Sequence, residues 1–456
     1  MRHQFTVQGQ RVVVVGAARS GVSAAELLVR RGAIVTLTDL KTEIADEQRL
    51  RQQGVEIELG HHVAATFDRA DLIVLSPGVA RDQPDVARAK SRGIPVIGEL
   101  ELASRWLKGR LIAITGTKGK STTTTLVGRI LNAAGIRAVV GGNIGVPLSS
   151  QVDHSTEETV HVVEASSFQL ETTETFHPWI AALLNFSPDH LDRHADETEY
   201  ATAKARIFAN QTETDWAVVN ADNPPAVALA SATRAQIVRY AIENASGAAV
   251  FVADGCVWQR TSEGDTPLVT TARIHLPGRH MLSNVAAASA ISVIVGAGAT
   301  AVAEALEGFT GLEHVMEPVA TIRGVRFVND SKATNVEAAM RSIESFDRVV
   351  AILGGRFKGG RFEDLRAPLQ TRGRGVVAIG EAASLIRKAL ESNVPVVEAH
   401  TMREAVAKAW KLAQPDGVVL LAPACSSFDM FADYAERGRV FKEDVARLAE
   451  ELSTKK

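Results

Sequence analysis

The chain holds only two cysteines, Cys256 and Cys425. Two thiols this far apart build no disulfide framework and lack the spacing of a zinc site, so a reducing, cytoplasmic setting is expected. Positive charge is not in surplus either. The net charge is −3, which removes the electrostatic footprint of a nucleic-acid binder. The first residues, Met1 to Gln10, are polar and mixed and lack the apolar core of a secretion signal. One uncharged stretch, 285–303, has the length of a membrane span, but it is mostly small residues with few large apolar side chains. It is read as a pair of buried helices, and no membrane span is expected. Internal repeats and low-complexity tracts are absent from the sequence.

What is present fits an ordinary globular protein: 46% apolar and 23% charged residues over 456 positions. At roughly 100–200 residues per domain, that length implies about three domains, each able to bury a core. The dominant pattern is a short Val/Ile/Leu run, a Gly- or Asp-bearing turn and a helical stretch, the mark of parallel α/β units. It recurs in three blocks, expected at 1–108, 109–311 and 312–456. Strands are expected at 11–16, 34–38 and 72–76 in the first block, with a helix at 21–31. They are expected at 111–115, 161–164, 180–184 and 216–220 in the second, with a small antiparallel addition within 241–274. In the third they are expected at 325–328, 348–353, 376–379, 394–397 and 417–421. Hinges are expected near Lys108 and Gly311. In open parallel sheets ligands bind beyond the carboxyl ends of strands, so the polar residues there are the candidates.

The sharpest signal is Thr115-Gly-Thr-Lys-Gly-Lys-Ser-Thr122, between a strand and a helix. Gly116 and Gly119 let backbone N–H groups close on phosphate oxygens, and the helix start adds partial positive charge. Lys120 is placed to reach the β- and γ-phosphates and Ser121 to ligate Mg²⁺. The first glycine of the longer GxxxxGK[ST] pattern is replaced by Ile114. The bland alternative is a capped helix with a flexible lead-in. In the first block, Gly16-Ala-Ala-Arg-Ser-Gly21 occupies the place of a dinucleotide fingerprint, but Ala18 replaces the glycine that lets the backbone approach a pyrophosphate. Asp39 ends the second strand, where a ribose-contacting acid belongs. A nucleotide in another pose and a purely structural turn both remain open on these residues.

In the second block, Glu164 follows a strand and is a candidate Mg²⁺ ligand or an ordinary helix-start acid. Asn185-Phe-Ser-Pro-Asp-His-Leu-Asp-Arg-His194 follows another strand, where Asp189, His190 and Asp192 are candidates to hold a second Mg²⁺ or a substrate oxygen, and the run reads equally well as a turn with Ser and Asp as helix caps. Lys204, read alone, belongs to a solvated helix face.

Taken together the motifs resemble the Mur ligase superfamily, the amide-forming enzymes of peptidoglycan precursor synthesis. The resemblance rests on GTKGKST at 116–122, GGNIG at 141–145, EASSFQLE at 164–171, NFSPDHLDRH at 185–194, YATAKARIF at 200–208, NDSKATN at 329–335, LGGRFKGG at 353–360 and APACSSFDMF at 422–431. It implies an α/β chain of three domains: a Rossmann-like UDP-sugar domain, a central P-loop ATPase-like domain and a C-terminal Rossmann-like domain for the amino acid. The branch it most resembles adds D-glutamate to UDP-N-acetylmuramoyl-L-alanine, using ATP to form an acyl phosphate. Two Mg²⁺ ions are implied, held by Ser121 and Glu164 and by His190 with Lys204, the latter carbamylated by carbon dioxide. A carbamylated lysine must first be a neutral amine, so a depressed pKa is expected.

The same resemblance implies ATP contacts from Gly116, Thr117, Lys118, Gly119, Lys120, Ser121, Thr122, Asn284 and Asp330. It implies UDP-sugar contacts from Ser20, Asp39, Gly78, Asn143 and His190, and D-glutamate contacts from Lys332, Thr334, Lys358, Ser427 and Phe428. Lys120, Glu164, His190 and Lys204 are the expected catalytic residues, and a monomer is the expected state. Two positions depart from the family pattern, and a third keeps it. Met281 replaces an asparagine in His280-Met-Leu-Ser-Asn284, Val315 replaces an arginine after His314, and Tyr434 stands as the aromatic at its position. Lys118 and Arg323 are the candidate replacements for the lost arginine charge. Competing readings are a sister ligase acting on folate polyglutamate or L-alanine, a nicotinamide-dependent dehydrogenase, and a nucleotide-binding switch without chemistry.

Overall fold

The computed structural model describes residues 5–189, 193–243, 246–275, 278–357 and 359–453. Three sheets carry the chain. The first uses β1 (Arg11–Val15), β2 (Ile34–Asp39), β3 (Glu56–Leu59), β4 (Leu72–Leu75) and β5 (Val96–Gly98), all parallel, in the order β3-β2-β1-β4-β5. Val12–Val15 are buried, as a strand covered on both faces requires. The order reverses between β1 and β4, so the crevice beyond them opens at Gly16 and at Ser76-Pro77-Gly78.

The second sheet uses β6 (Arg110–Thr115), β7 (Ala138–Gly142), β8 (Val160–Glu164), β9 (Ile180–Leu183), β10 (Trp216–Asn220), β11 (Gln236–Ala241), β12 (Val250–Ala253), β13 (Cys256–Thr261) and β14 (Gly264–Thr270). Their order is β14-β13-β12-β11-β10-β9-β6-β8-β7, parallel from β7 through β12 and antiparallel at the β12–β14 end. β6 lies between β8 and β9, which brings the ends of all three strands to one edge. Two buried helices, Arg279–Val295 and Ala299–Leu306, cover the stretch read as a helix pair. No helix among the described residues is long and apolar enough to cross a membrane.

The third sheet uses β15 (Glu317–Ile322), β16 (Val325–Asn329), β17 (Val349–Gly354), β18 (Gly373–Ile379), β19 (Val396–Ala399) and β20 (Val418–Leu421) in the order β15-β16-β20-β17-β18-β19. Only β15 runs antiparallel. Pro318 sits in that edge strand beside a register shift, where a missing N–H disrupts no inner ladder.

By packing, residues 1–274 with 279–308 form one compact unit holding the first two sheets, and residues 309–456 form the bulk of another holding the third. Inside the first unit one apolar cluster joins Leu27, Leu100 and Ala103 to Leu148, Leu170 and Phe176. Above it the buried Glu101 carboxylate accepts from the N–H groups of Glu174 (2.8 Å), Thr175 (3.1 Å) and Phe176 (2.9 Å), and from Thr175 Oγ1 and Arg105 Nε. Burial raises its pKa, but these donors outweigh burial and hold the carboxyl below its usual range. The connector expected to act as a hinge is itself bonded: Lys108 and Gly109 both donate their N–H to Ser155 Oγ.

Candidate active site

The loop at 116–119, a candidate for binding phosphate, forms because β6 ends buried and Gly116 and Gly119 take φ of 153° and 82°, the latter in the left-handed region that glycine tolerates. Gly119 caps the helix Lys120–Ala133. The loop is braced from the segment after β9. The Asn185 side chain accepts from Lys118 N (2.8 Å) and donates to Lys118 O (3.1 Å), acting as a strand partner would. Thr117 Oγ1 donates to Ser187 O (3.0 Å) and lies 3.2 Å from the Tyr200 hydroxyl. Ser121 and Thr122 are buried in the first helical turn. Asn284 reaches the loop from the helix Arg279–Val295: a Cβ at position 119 would stand 2.2 Å from its Oδ1. The Asn284 amide also points its Nδ2 at Met281 Sδ (3.6 Å), so the departure at 281 leaves a weak acceptor.

Two lysine side chains converge on one carbonyl. Lys120 Nζ and Lys204 Nζ each donate to Gly116 O at 2.9 Å, and Lys120 also reaches Thr117 O at 3.1 Å. Lys204 is 1% exposed, with its Nζ 4.6 Å from the Tyr200 ring centroid, so it is not a surface residue. Burial first, and the Lys120 charge second, push its pKa well below the ordinary lysine value, while Asp189 and Glu164 act in the opposite direction. That is the direction of shift that the family resemblance implied for this lysine. Lys118 Nζ lies 3.6 Å from Asp189 Oδ2.

Glu164 ends β8 on the same edge and is 1% exposed. Its Oε1 accepts from Asn143 Nδ2 at 2.7 Å, and its Oε2 has no hydrogen-bond partner among the described residues. An orphaned carboxylate oxygen beside a phosphate loop suits a hard divalent cation. Asn143 N also donates to Glu164 O (2.9 Å), so this asparagine is fixed at both ends. His190 lies outside the described residues.

In the first sheet Asp39 accepts from Ala17 N (2.6 Å) and Lys41 N (2.9 Å), which locks the Gly16–Ala18 turn to the end of β2. Gly16 has a φ of 96°, and a Cβ there would lie 2.9 Å from Ser76 Cβ. Ser20 is half-buried in the first turn of the helix Arg19–Arg30, and Gly78 is exposed. Arg193 stacks on Phe168 (4.5 Å) and points at the carbonyls of Gly78 (3.4 Å) and Val79 (3.5 Å).

The unit holding the third sheet gathers its candidates beyond β16 and β20. Lys332 N donates to His314 O (3.1 Å), and its Nζ lies 6.0 Å from the Tyr434 ring centroid. Thr334 N closes a turn on Lys332 O (2.9 Å). Ser427 is buried, and Phe428 is 57% exposed. Asp330 accepts from Met316 N (3.2 Å) and Ser342 Oγ, so both its oxygens have partners inside its own unit. Lys358 lies outside the described residues. Arg323 stands at the amino end of β16, opposite to Asp330, and donates to Leu452 O (2.5 Å). That position is at the wrong end of the sheet to stand in for the arginine that Val315 replaces.

Sequence reading missed Arg437. Its buried guanidinium donates to Ser331 Oγ (3.0 Å), Ser331 O (2.9 Å) and Cys425 O (3.1 Å), tying together the two loops that carry Lys332 and Ser427. Burial pushes its pKa down to about 10, so it stays charged near neutrality. Nothing in the helical pattern around position 437 separates this arginine from its solvated neighbours.

Residues 10–98 match the Mur ligase MurD-like N-terminal domain, residues 114–292 the Mur ligase middle domain, and residues 316–425 the Mur ligase glutamate ligase domain. A UDP-N-acetylmuramoylalanine--D-glutamate ligase of Koribacter versatilis is 44% identical over 98% of this chain and 99% of its own length. The protein of the same name from Acidobacterium capsulatum is 45% identical over 96% of each chain. Among solved structures, a pseudomurein peptide ligase type C from Methanothermus fervidus superposes with a TM-score of 0.61 over 96% of this chain and all of its own, at 17% identity, which speaks to the fold. With three matching domains in order and such identity over nearly its whole length, the chain belongs to the Mur ligase family.

Proposed function

We propose that this chain is an ATP-dependent ligase that joins D-glutamate to UDP-N-acetylmuramoyl-L-alanine in peptidoglycan precursor synthesis. The observation that carries the reading is the pair of lysines on the Gly116 carbonyl beside the orphaned Glu164 oxygen, in a chain 44% identical to a ligase of that name. A carboxylate is a poor electrophile, and phosphorylation gives it a leaving group. An oxygen of the alanyl carboxylate attacks the γ-phosphorus of ATP, and ADP leaves. The neutral amine of D-glutamate then attacks the acyl carbon, loses a proton, and phosphate departs as the amide forms.

The residues divide this work. Lys120 and the loop from Gly116 to Thr122, with Lys118 and Asn284, hold the nucleotide, and Lys120 offsets charge as two anions meet. Asp330 belongs near the nucleotide by resemblance, although its bonds to Met316 and Ser342 give it a structural task as well. Ser20, Asp39, Gly78 and Asn143, with His190, form the UDP-sugar site. Lys332, Thr334, Lys358, Ser427 and Phe428 form the glutamate site, where two lysines suit two carboxylates. Glu164 and Ser121 are suited to one Mg²⁺, and His190 with a carbamylated Lys204 to a second. Bound there, the metal supplies positive charge to phosphate oxygens. Lys204 becomes a carbamate when its neutral amine attacks carbon dioxide and releases one proton. By the resemblance, the divisions 1–108, 109–311 and 312–456 each supply the main site for one substrate: the UDP-sugar, ATP and D-glutamate in turn.

Phosphate release with ATP, Mg²⁺ and UDP-N-acetylmuramoyl-L-alanine tests the reading, with D-glutamate, L-glutamate and L-alanine compared as acceptors. We expect release that requires D-glutamate and a product heavier by one glutamyl residue. Equal release with L-alanine, or none with any acceptor, contradicts it.

A further inference from the structure

Beneath the turn that carries Asn143 runs a buried polar chain that the proposed chemistry leaves unused. His161 lies on β8, three residues before Glu164, and is 1% exposed. Its Nε2 is 2.8 Å from Ser155 Oγ, and its Nδ1 is 3.0 Å from Gln151 Oε1. Ser155 Oγ accepts from Lys108 N (3.0 Å) and Gly109 N (3.3 Å) at one end. Gln151 Nε2 donates to Val140 O (3.2 Å) at the other. Ser155 and Gln151 are buried as well.

The direction of every bond follows from donor chemistry. Backbone amide N–H groups can only donate, so Ser155 accepts from both and its own hydroxyl donates a hydrogen bond to His161 Nε2. The imidazole is then the neutral Nδ1–H tautomer, which donates to Gln151 Oε1, and the Gln151 amide donates onward to Val140. Burial first, and Arg137 second, lower the His161 pKa to about 4, which keeps the ring neutral as this pattern requires. A buried polar chain is costly unless each member is satisfied. Here each is, and the chain spans two places that matter. One end is the connector between the first two sheets. The other is the end of β7, where a Cβ on Gly141 would stand 2.1 Å from Gln151 Nε2 and 2.6 Å from Val146 O. The turn therefore rests directly on Gln151, and Asn143 leaves it to bond Glu164 through both its N–H and its side chain.

We infer that Ser155, His161 and Gln151 form a positioning relay that holds the Gly141–Gly145 turn, and so Asn143 and Glu164, in register with the connector at Lys108–Gly109. None of the three is a catalytic residue. The kinetic consequence rests on the ligase reading; the structural consequence does not.

Hydrogen exchange of the full chain separates the two. Ser155→Ala is expected to speed amide exchange at least tenfold in the peptide covering 141–145 as well as at 108–109, although Ser155 touches only the latter. Gln151→Met is expected to do the same at 141–145 and to raise KM for UDP-N-acetylmuramoyl-L-alanine about tenfold, with KM for ATP changed less than twofold. Gln151→Glu keeps the bond to His161 but sets a carboxylate oxygen against Val140 O, and is expected to resemble Gln151→Met. Exchange confined to 105–112 in Ser155→Ala, or an unchanged KM in a folded Gln151→Met, overturns the relay. An inactive wild type with the expected exchange pattern would sink the ligase reading and leave the relay standing.

Discussion

Two turns in the first compact unit invite comparison. Each follows a buried strand and opens a helix: Gly16–Gly21 after β1, and Gly116–Ser121 after β6. In the first, an internal anion already holds the turn, because Asp39 accepts the Ala17 N–H. In the second, the carbonyl of Gly116 draws the side-chain nitrogens of Lys120 and Lys204. One turn is held by a carboxylate from the neighbouring strand, and the other gathers two lysines on one carbonyl. Topology places both at the carboxyl end of a parallel sheet, but side chains arriving from other elements decide what each can bind.

The widest test of that contrast is at the lysines. Lys120→Ala and Lys204→Ala are each expected to lower kcat by about 10²–10³-fold or more, the scale of losing a transition-state donor. Only Lys204→Ala should recover in part with short carboxylic acids, since they mimic the carbamate. Turnover assays with and without acetate check this, and an active Lys204→Ala would return that residue to an ordinary buried lysine.

A smaller effect separates the turns through their glycines. Gly119→Ala forces a Cβ onto Asn284 at positive φ and is expected to raise KM for ATP about tenfold. Gly16→Ala meets Ser76 and Val79 instead and is expected to cost about 1–3 kcal/mol of stability, with KM for ATP unchanged. Denaturant unfolding beside ATP kinetics reads both. If Gly16→Ala moved ATP affinity, the two turns would not be independent.

The mildest expected effect is on acid stability. Burial lowers the His161 pKa to about 4 in the folded chain, from the ordinary 6.5 of an exposed imidazole. Between these values the unfolded chain binds the extra proton, so the histidine costs stability as pH falls from 6.5 to 4, by up to ~3 kcal/mol. His161→Gln should flatten the unfolding profile in that window relative to the parent chain, whatever its own stability at pH 7. A parallel profile would show that the ring titrates normally.

Much of this was legible before folding. The strands expected from Val/Ile/Leu runs fall within three residues of their observed ends, and the antiparallel addition appears at β12–β14. Strands that escaped notice carry polar or irregular sequence. β3 is Glu-Ile-Glu-Leu at a sheet edge, β7 ends in two glycines, and β15 contains Pro318. Pairing to a neighbouring strand makes them strands, and their own pattern does not reveal it. At the site, Lys120 was visible because a loop motif has local spacing. Lys204 alone read as a surface residue, since its burial is set by Tyr200 and by a loop 88 positions away. Arg437 and the Ser155–His161–Gln151 chain were invisible for the same reason: their partners converge only in three dimensions. His190 and Lys358 fall outside the described residues, so the second metal site and one glutamate contact rest on the family resemblance.

The central claim is that ATP activates the alanyl carboxylate as an acyl phosphate at the loop of Gly116–Thr122. Its most direct test labels both carboxylate oxygens of UDP-N-acetylmuramoyl-L-alanine with ¹⁸O and follows the label through one turnover with ATP and D-glutamate. Phosphorylation of the carboxylate predicts that one ¹⁸O leaves with the released phosphate and one stays in the new amide. Phosphate free of label, with product still formed, would contradict the account.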